Sequence, residues 1–276
     1  MHDEAIHIYV SADELFKALG IKDDPQSRMN NAEVVTFALL ASNYFACNYR
    51  KARLILRHVK YFKYLLSESR LNRRLHNIPE VFWKALFEVL AVSKKAGQSD
   101  IYIVDSFPVK AYANYRSSRA NIFTDQSCHG YCASKKEYFF GIKVHMIVSV
   151  EGVPIEFFIA PARESDVTVF QTFGFNLSAG VTLLADRAYT DYLMEDMLLE
   201  EQRIQLVSRR KTGLKRIHTP LNEYVLEKYR NRVETVFSAI NSRFARYIHA
   251  TTEKGFSLKV VLAILSTMCW YASGIA

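Results

Sequence analysis

The order of apolar and polar positions divides the chain in two. Up to about residue 98, apolar residues recur at helical spacing. "ADELFKALG" predicts a short helix. "NNAEVVTFALLASNYF" predicts a longer one that opens on Asn30 or Asn31 as its N-cap. "RKARLILRHVKYFKYLLS" sets Leu54, Leu56, Val59, Phe62, Leu65 and Leu66 mainly on one face, with bases opposite. "ESRLNRRLHNI" and "PEVFWKALFEVLAVSKK" follow, the second with Pro79 near its start. The pattern changes near "KKAGQSD", residues 94–100. Beyond it, "IYIVDS", "YFFGIKVHMIVSV", "VPIEFFIAPA", "VTLLAD" and "RIQLVSRR" predict five strands, with "EG" as a tight turn between the second and third. "SDVTVFQTFGF", capped by Ser165 or Asp166, and "TDYLMEDMLLEEQ" predict helices, and a long helix begins near Leu221. A hairpin followed by strand–helix alternation implies an α/β domain with a mixed five-stranded sheet and flanking helices. The expected division is an all-helical region over residues 1–98 and an α/β domain over residues 99–276.

Charge adds a partner to this picture. The chain has 276 residues and a net charge of +8. Between Val34 and Ile78 stand Arg50, Lys51, Arg53, Arg57, Lys60, Lys63, Arg70, Arg73 and Arg74, and the only acid there is Glu68. A second basic stretch, "SRRKTGLKR", runs from Ser208 to Arg216. Two such clusters fit a phosphate backbone better than a solvated helix face. Short helices with basic outer faces suit a helix-turn-helix-like DNA-binding module, and equally any small helical bundle.

Other classes recede. No apolar run approaches the roughly 18–20 residues that span a bilayer. The N-terminus carries acids and no basic segment leading into an apolar one, so no signal peptide is expected and the expected compartment is the cytoplasm. Of four cysteines only Cys128 and Cys132 are close, in "CHGYC"; structural zinc wants two close pairs, so a loop with reduced thiols is favoured. Tyr112 and Tyr115 lack the basic surroundings of a tyrosine nucleophile.

Three acids stand out by position. Asp105 ends the first predicted strand, Asp186 ends the fourth, and Glu234 lies in the last helix. On that helix Leu226, Tyr229, Val233, Val236 or Phe237, Ile240 and Phe244 form an apolar stripe, with Glu234 at its edge and Arg230 one turn earlier. First and fourth strands lying side by side would bring Asp105 and Asp186 together. Close carboxylates repel, so the cluster calls for a multivalent cation, and all-oxygen ligation selects a hard ion such as Mg²⁺ or Mn²⁺. Two such ions suit phosphodiester chemistry, which joins the acids to the basic clusters through one substrate, DNA.

In this order the three acids resemble those of the ribonuclease-H-like DDE transposases of bacterial insertion sequences, most specifically insertion-sequence group nine-eighty-two. The matching stretches are "NYRKARLILRH", "SRLNRRLHNIP", "VDSFPV", "KKEYFFGIKVHMIVSVEGVPIEFFIAPARESD", "LLADRAY" and "RNRVETVFS", and the resemblance that runs through them extends over nearly the whole chain. The resemblance implies a transposase that cuts at the ends of its element and joins 3′-OH ends to target DNA. It places Asp105, Asp186 and Glu234 on the catalytic, metal-binding triad, with Mg²⁺ or Mn²⁺, two ions, as cofactor. The partners it implies are double-stranded DNA at terminal inverted repeats and at the target, and a second copy of the chain to pair two ends, in the cytoplasm in association with the nucleoid. Many related transposases flank the Glu with a Tyr seven before, an Arg four before and a Lys seven after. Here those positions hold Glu227, Arg230 and Asn241, and only the Arg matches; Arg243 or Arg246 would have to supply the missing cation.

The DNA contacts expected on these grounds are Arg50, Lys51, Arg53, Arg57, Arg70, Arg73, Arg74, Lys143, His145, Arg187 and Arg230. Lys143 and His145 share one face of a strand, either toward the scissile phosphate or as ordinary strand side chains. Asp166 is a helix N-cap or a further acid near the metals. Arg187 and Tyr189 contact DNA, or Tyr189 is partly buried with a bonded hydroxyl. A nuclease of the same fold without strand transfer, and a domesticated copy that only binds DNA, are the rival functions.

Overall fold

The computed structural model describes residues 1–93, 99–132, 136–210, 213, 216–244 and 248–272. The expected boundary at residue 98, Lys211 and Lys215 of the second basic stretch, and Arg246 lie outside the described residues. Two compact units are present: Met1–Lys94 with Ala239–Ala276, and Lys95–Ser238.

The first unit is helical: α1 (His2–Ala18), α2 (Asn31–Phe45), α3 (Tyr49–His58), α4 (Glu68–Asn77), α5 (Glu80–Ser93) and α9 (Glu253–Ala272). Its centre is α2, buried almost continuously from Ala32 to Ser42. A helix apolar on all sides needs neighbours on all sides. The last helix supplies one, and Ser42 Oγ lies 3.1 Å from Ser266 Oγ between α2 and α9. This corrects the expected extent of the second region. The chain's C-terminal helix is as apolar as α2, with Val260, Leu262, Ala263, Ile264, Leu265, Met268 and Cys269 buried, and it packs with the N-terminal helices. A capping box opens α2: Glu33 N–H donates to Asn30 Oδ1 at 2.7 Å, and Asn30 N–H donates to Glu33 Oε2 at 2.8 Å.

The helix predicted through residue 67 stops at His58, and Lys60 is left-handed. Its buried stripe is Tyr49, Ala52 and Leu56. Leu54 and Val59, expected inside, are exposed, because a ten-residue helix presents only one narrow face to its neighbours.

The second unit holds a six-stranded sheet: β1 (Ile101–Ala113), β2 (His129–Cys132), β3 (Glu137–Ser149), β4 (Pro154–Pro161), β5 (Thr182–Ala185) and β6 (Gln205–Ser208). The order is β2-β3-β1-β5-β6, with β4 also on β3. β3 pairs antiparallel with β1, β2 and β4; β5 pairs parallel with β1 and β6. The sheet is mixed, as predicted, but has one strand more: "CHGYC", expected as a loop, forms β2, and Cys132 packs on Phe139 and Ala162. Helices α6 (Asp166–Thr172), α7 (Tyr192–Gln202) and α8 (Pro220–Asn241) complete the α/β pattern, which fits a ribonuclease-H-like domain. Gly141 on β3 meets the bulge of β1 at Lys110/Tyr112 so closely that an added Cβ would lie 2.3 Å from the Val109 carbonyl. Among the described residues no helix is long and apolar enough to cross a membrane.

Alternation along the strands decides which face each residue meets. Tyr102 and Val104 of β1 and Leu183 and Ala185 of β5 enter a core with Phe170, Phe173 and Leu198. Their alternates, Ile103, Asp105 and Phe107 with Leu184 and Asp186, fall on the opposite face. There Phe107 meets Phe237 of α8, ring centroids 4.5 Å apart.

Candidate active site

β1 is thirteen residues long, so Asp105 lies within the strand and not at its end as its sequence suggested. What ends there is the pairing. Val104 partners Ala185 in the parallel ladder, β5 stops, and β1 continues against β3 alone. Asp105 and Asp186 are therefore the first residues past the last parallel pair, on neighbouring strands and on the α8 face. Loss of the ladder opens a cavity of about 520 Å³, lined by Asp105, Asp186, Arg187, Arg209, Arg230 and Glu234 among others.

Asp186 occupies the N-cap position of a 3₁₀ turn, Arg187–Tyr189, yet its side chain makes no capping bond. Its carboxylate is exposed and lines the cavity. Asp105 is the opposite case. Burial, and then the nearby Asp186, Asp166 and Glu234 carboxylates, push its pKa up to about 7, against one backbone bond from Ser106 N–H at 2.7 Å. Glu234 stands on the exposed side of α8 beside buried Val233, and Arg230 Nε is 3.7 Å from its Oε1. The donor set, all carboxylate oxygen, suits a hard divalent cation. Among the described residues no three His, Cys, Asp or Glu side chains stand close enough to form a ready-made metal site. Two adjacent strand acids and a helix acid share one cavity.

Behind Asp105 runs a polar network. Ser165, not Asp166, caps α6, accepting from Thr168 N–H. Asp166 is thereby free to accept from Lys143 Nζ at 2.8 Å and from Ser106 Oγ at 3.1 Å. Lys143 also donates to the Glu164 carbonyl. His145, on the same face of β3, is buried, with Nδ1 3.1 Å from the Tyr189 hydroxyl and Nε2 4.0 Å from Asp166. Burial pulls the His145 pKa down to about 4, so the ring is neutral. Burial likewise raises the Tyr189 phenol well above its ordinary value.

The expected DNA contacts divide accordingly. Arg187 and Arg230 line the acid cavity. His145 does not reach solvent, which removes the contact expected of it; Tyr189 is a buried, bonded hydroxyl. Lys143 is held by Asp166 and Glu164. In the helical unit Arg50, Lys51, Arg57, Arg70 and Arg73 are exposed on α3 and α4, and Arg53 is half-buried. Arg74 departs from expectation: its guanidinium bonds Ser27, the Met29 carbonyl and Asn31 Oδ1, and so ties α4 to the start of α2. Arg243 is buried, Nη1 donating to the Ala239 carbonyl at 2.6 Å.

Of the lining residues not singled out from the sequence, Arg209 is the cation beside the acids. Arg209 directly follows β6, next to β5, and its N–H donates to the Ala185 carbonyl at 3.0 Å. The signal was the one that marked Asp186, a charged residue directly after a buried parallel strand. Arg210, its neighbour, is spent on Glu195 at 2.6 Å and on the Tyr192 ring.

Residues 95–251, more than half of the chain, match the family model described as "Transposase DDE domain". No curated protein matches the chain.

Proposed function

The chain belongs to the transposase DDE-domain family, and from that premise we propose that it is an insertion-sequence transposase of group nine-eighty-two, with Asp105, Asp186 and Glu234 as its catalytic acids. The observation that carries the proposal is the juxtaposition of Asp105 and Asp186 just past the last β1–β5 pair, in one cavity with Glu234. The three acids would hold Mg²⁺ or Mn²⁺, two ions, which when bound supply Lewis-acid stabilisation of the oxygens entering and leaving phosphorus. The chain's own side chains do the rest. Arg187 and Arg209 on the cavity wall bind the phosphate flanking the scissile bond. Asp166, Ser106 and Lys143 hold the β1 segment that carries Asp105. Water attacks the phosphodiester at an element end and frees a 3′-OH, which then attacks a target phosphate and displaces the 3′-oxygen of the target strand. The bases of α3 and α4 hold the duplex, and two copies pair two ends. As a DNA-acting transposase it works in the cytoplasm, on the nucleoid.

Asp186→Asn is expected to abolish Mg²⁺-dependent cleavage while leaving duplex binding intact. Retained cleavage by that variant would sink the assignment. Strand-transfer products in a plasmid assay separate a transposase from a nuclease of the same fold.

A further inference from the structure

A second large cavity, of about 640 Å³, lies within the helical unit, and the chemistry above does not use it. It is bordered by the α2–α3 turn, the first turn of α3, the Glu68 side of α4, Ser242, Arg243, Phe244, Ile248 and His249, and Lys259 of α9. Four cations line it, Arg50, Lys51, Arg243 and Lys259, against one carboxylate, Glu68. They come from parts of the chain some two hundred positions apart, so no local sequence cluster displays them.

Lys259 is the informative member. It is half-buried, its Nζ donates to the His249 carbonyl, and it has no carboxylate partner among the described residues. An ammonium withdrawn from water without an anion is unfavourable, and burial accordingly lowers its pKa. Glu68 does not relieve it within ion-pair distance. Beside it the α2–α3 turn runs through two successive left-handed residues, Ala46 and Cys47, and delivers the positive end of the α3 dipole to the same rim. A cavity so charged takes an anion. The further exposed bases of α3 and α4, Arg57, Arg70 and Arg73, favour a polyanion over a free small ion, because a lone phosphate would leave them unused.

We propose that this cavity is a backbone-phosphate site for duplex DNA, in which Lys259 of the C-terminal helix completes the grip begun by Arg50 and Lys51 at the start of α3. The inference rests on the reading of the chain as a DNA-acting transposase, and gives α9 a role beyond packing.

The test is fluorescence anisotropy of the full chain with a labelled duplex of arbitrary sequence, titrated across KCl concentrations. Wild type is expected to bind, with affinity falling steeply as salt rises. Lys259→Gln should bind roughly threefold to tenfold more weakly at low salt, with a log–log salt slope smaller by about one. Lys259→Arg should restore both. Lys254→Gln, on the exposed start of the same helix and outside the cavity, should match wild type. Lys259→Gln with wild-type affinity and slope at an unchanged melting temperature would overturn the site and leave the transposase reading standing. A wild-type chain that binds no duplex would overturn both. If Lys259→Gln melts below the assay temperature, the Arg50→Gln, Lys51→Gln double variant carries the same test on exposed side chains, with an expected slope change of about two; an unchanged slope there overturns the site.

Discussion

The acid cavity of the sheet unit and the basic cavity of the helical unit each withdraw a charge from water, and they do so by different means. In the sheet, Asp105 is desolvated because it belongs to a strand that continues after its parallel neighbour has stopped. Its unfavourable partners are other carboxylates. In the helical unit, Lys259 is desolvated because an apolar helix packed on α2 carries it, and among the described residues no acid lies within ion-pair distance of it. The withdrawn group is an acid in the first and a base in the second, so the first cavity suits a cation and the second an anion.

The largest expected effect separates the three acids by burial. Glu234→Gln and Asp186→Asn should each cut plasmid cleavage by at least roughly a hundredfold. Glu234 is exposed, so its replacement should leave metal-free stability within about 0.5 kcal/mol, read by thermal melts in EDTA. A wild-type cleavage rate for Glu234→Gln would remove α8 from the site.

Asp105→Asn should behave differently, losing cleavage but stabilising the metal-free protein. The folded pKa is about 7 and the unfolded value about 3.8. Below the unfolded value both states are protonated and there is no cost. The cost grows as pH rises toward 7 and is fully present above it. The gain from Asp105→Asn should therefore be near zero at pH 4 and about 1–4 kcal/mol at pH 8. Melts in EDTA at the two pH values measure it, and an equal gain at both would contradict the desolvation account.

Neighbouring bases on α4 sharpen the contrast between holding DNA and holding the fold. Arg74→Gln removes bonds to Asn31 and the Met29 carbonyl and should cost about 1–3 kcal/mol in urea unfolding. Arg73→Gln, on the exposed face, should cost no more than about 0.5 kcal/mol and instead weaken duplex binding. Asn30→Ala, which breaks the capping box of α2, should cost about 1 kcal/mol by the same unfolding measurement, between the two arginines.

Much of this was legible in the residues. Strand alternation and helix periodicity are local, so the mixed sheet, the order of its strands after the hairpin and the helical character of the first ninety-odd residues could be read directly. Asp186 was found by its place after a buried run. The extent of α3 was misjudged because an apolar residue at helical spacing need not be buried: Leu54 fits the pattern and faces solvent. "CHGYC" was missed as a strand because only its pairing with β3 makes it one.

The sequence by itself determined which residues carry charge at element ends, because backbone geometry and the hydrophobic effect act through near neighbours along the chain. The tertiary structure alone decided what those charges face. Asp166 became a partner of Lys143 when Ser165 took the cap. His145, on paper a DNA contact, was closed in beneath Tyr189. Lys259 came to share a cavity with Arg50 because α9 is too apolar to stand outside the helical unit. Burial and distance set desolvation and Coulomb energy, and both are properties of the packed chain, not of its order of residues.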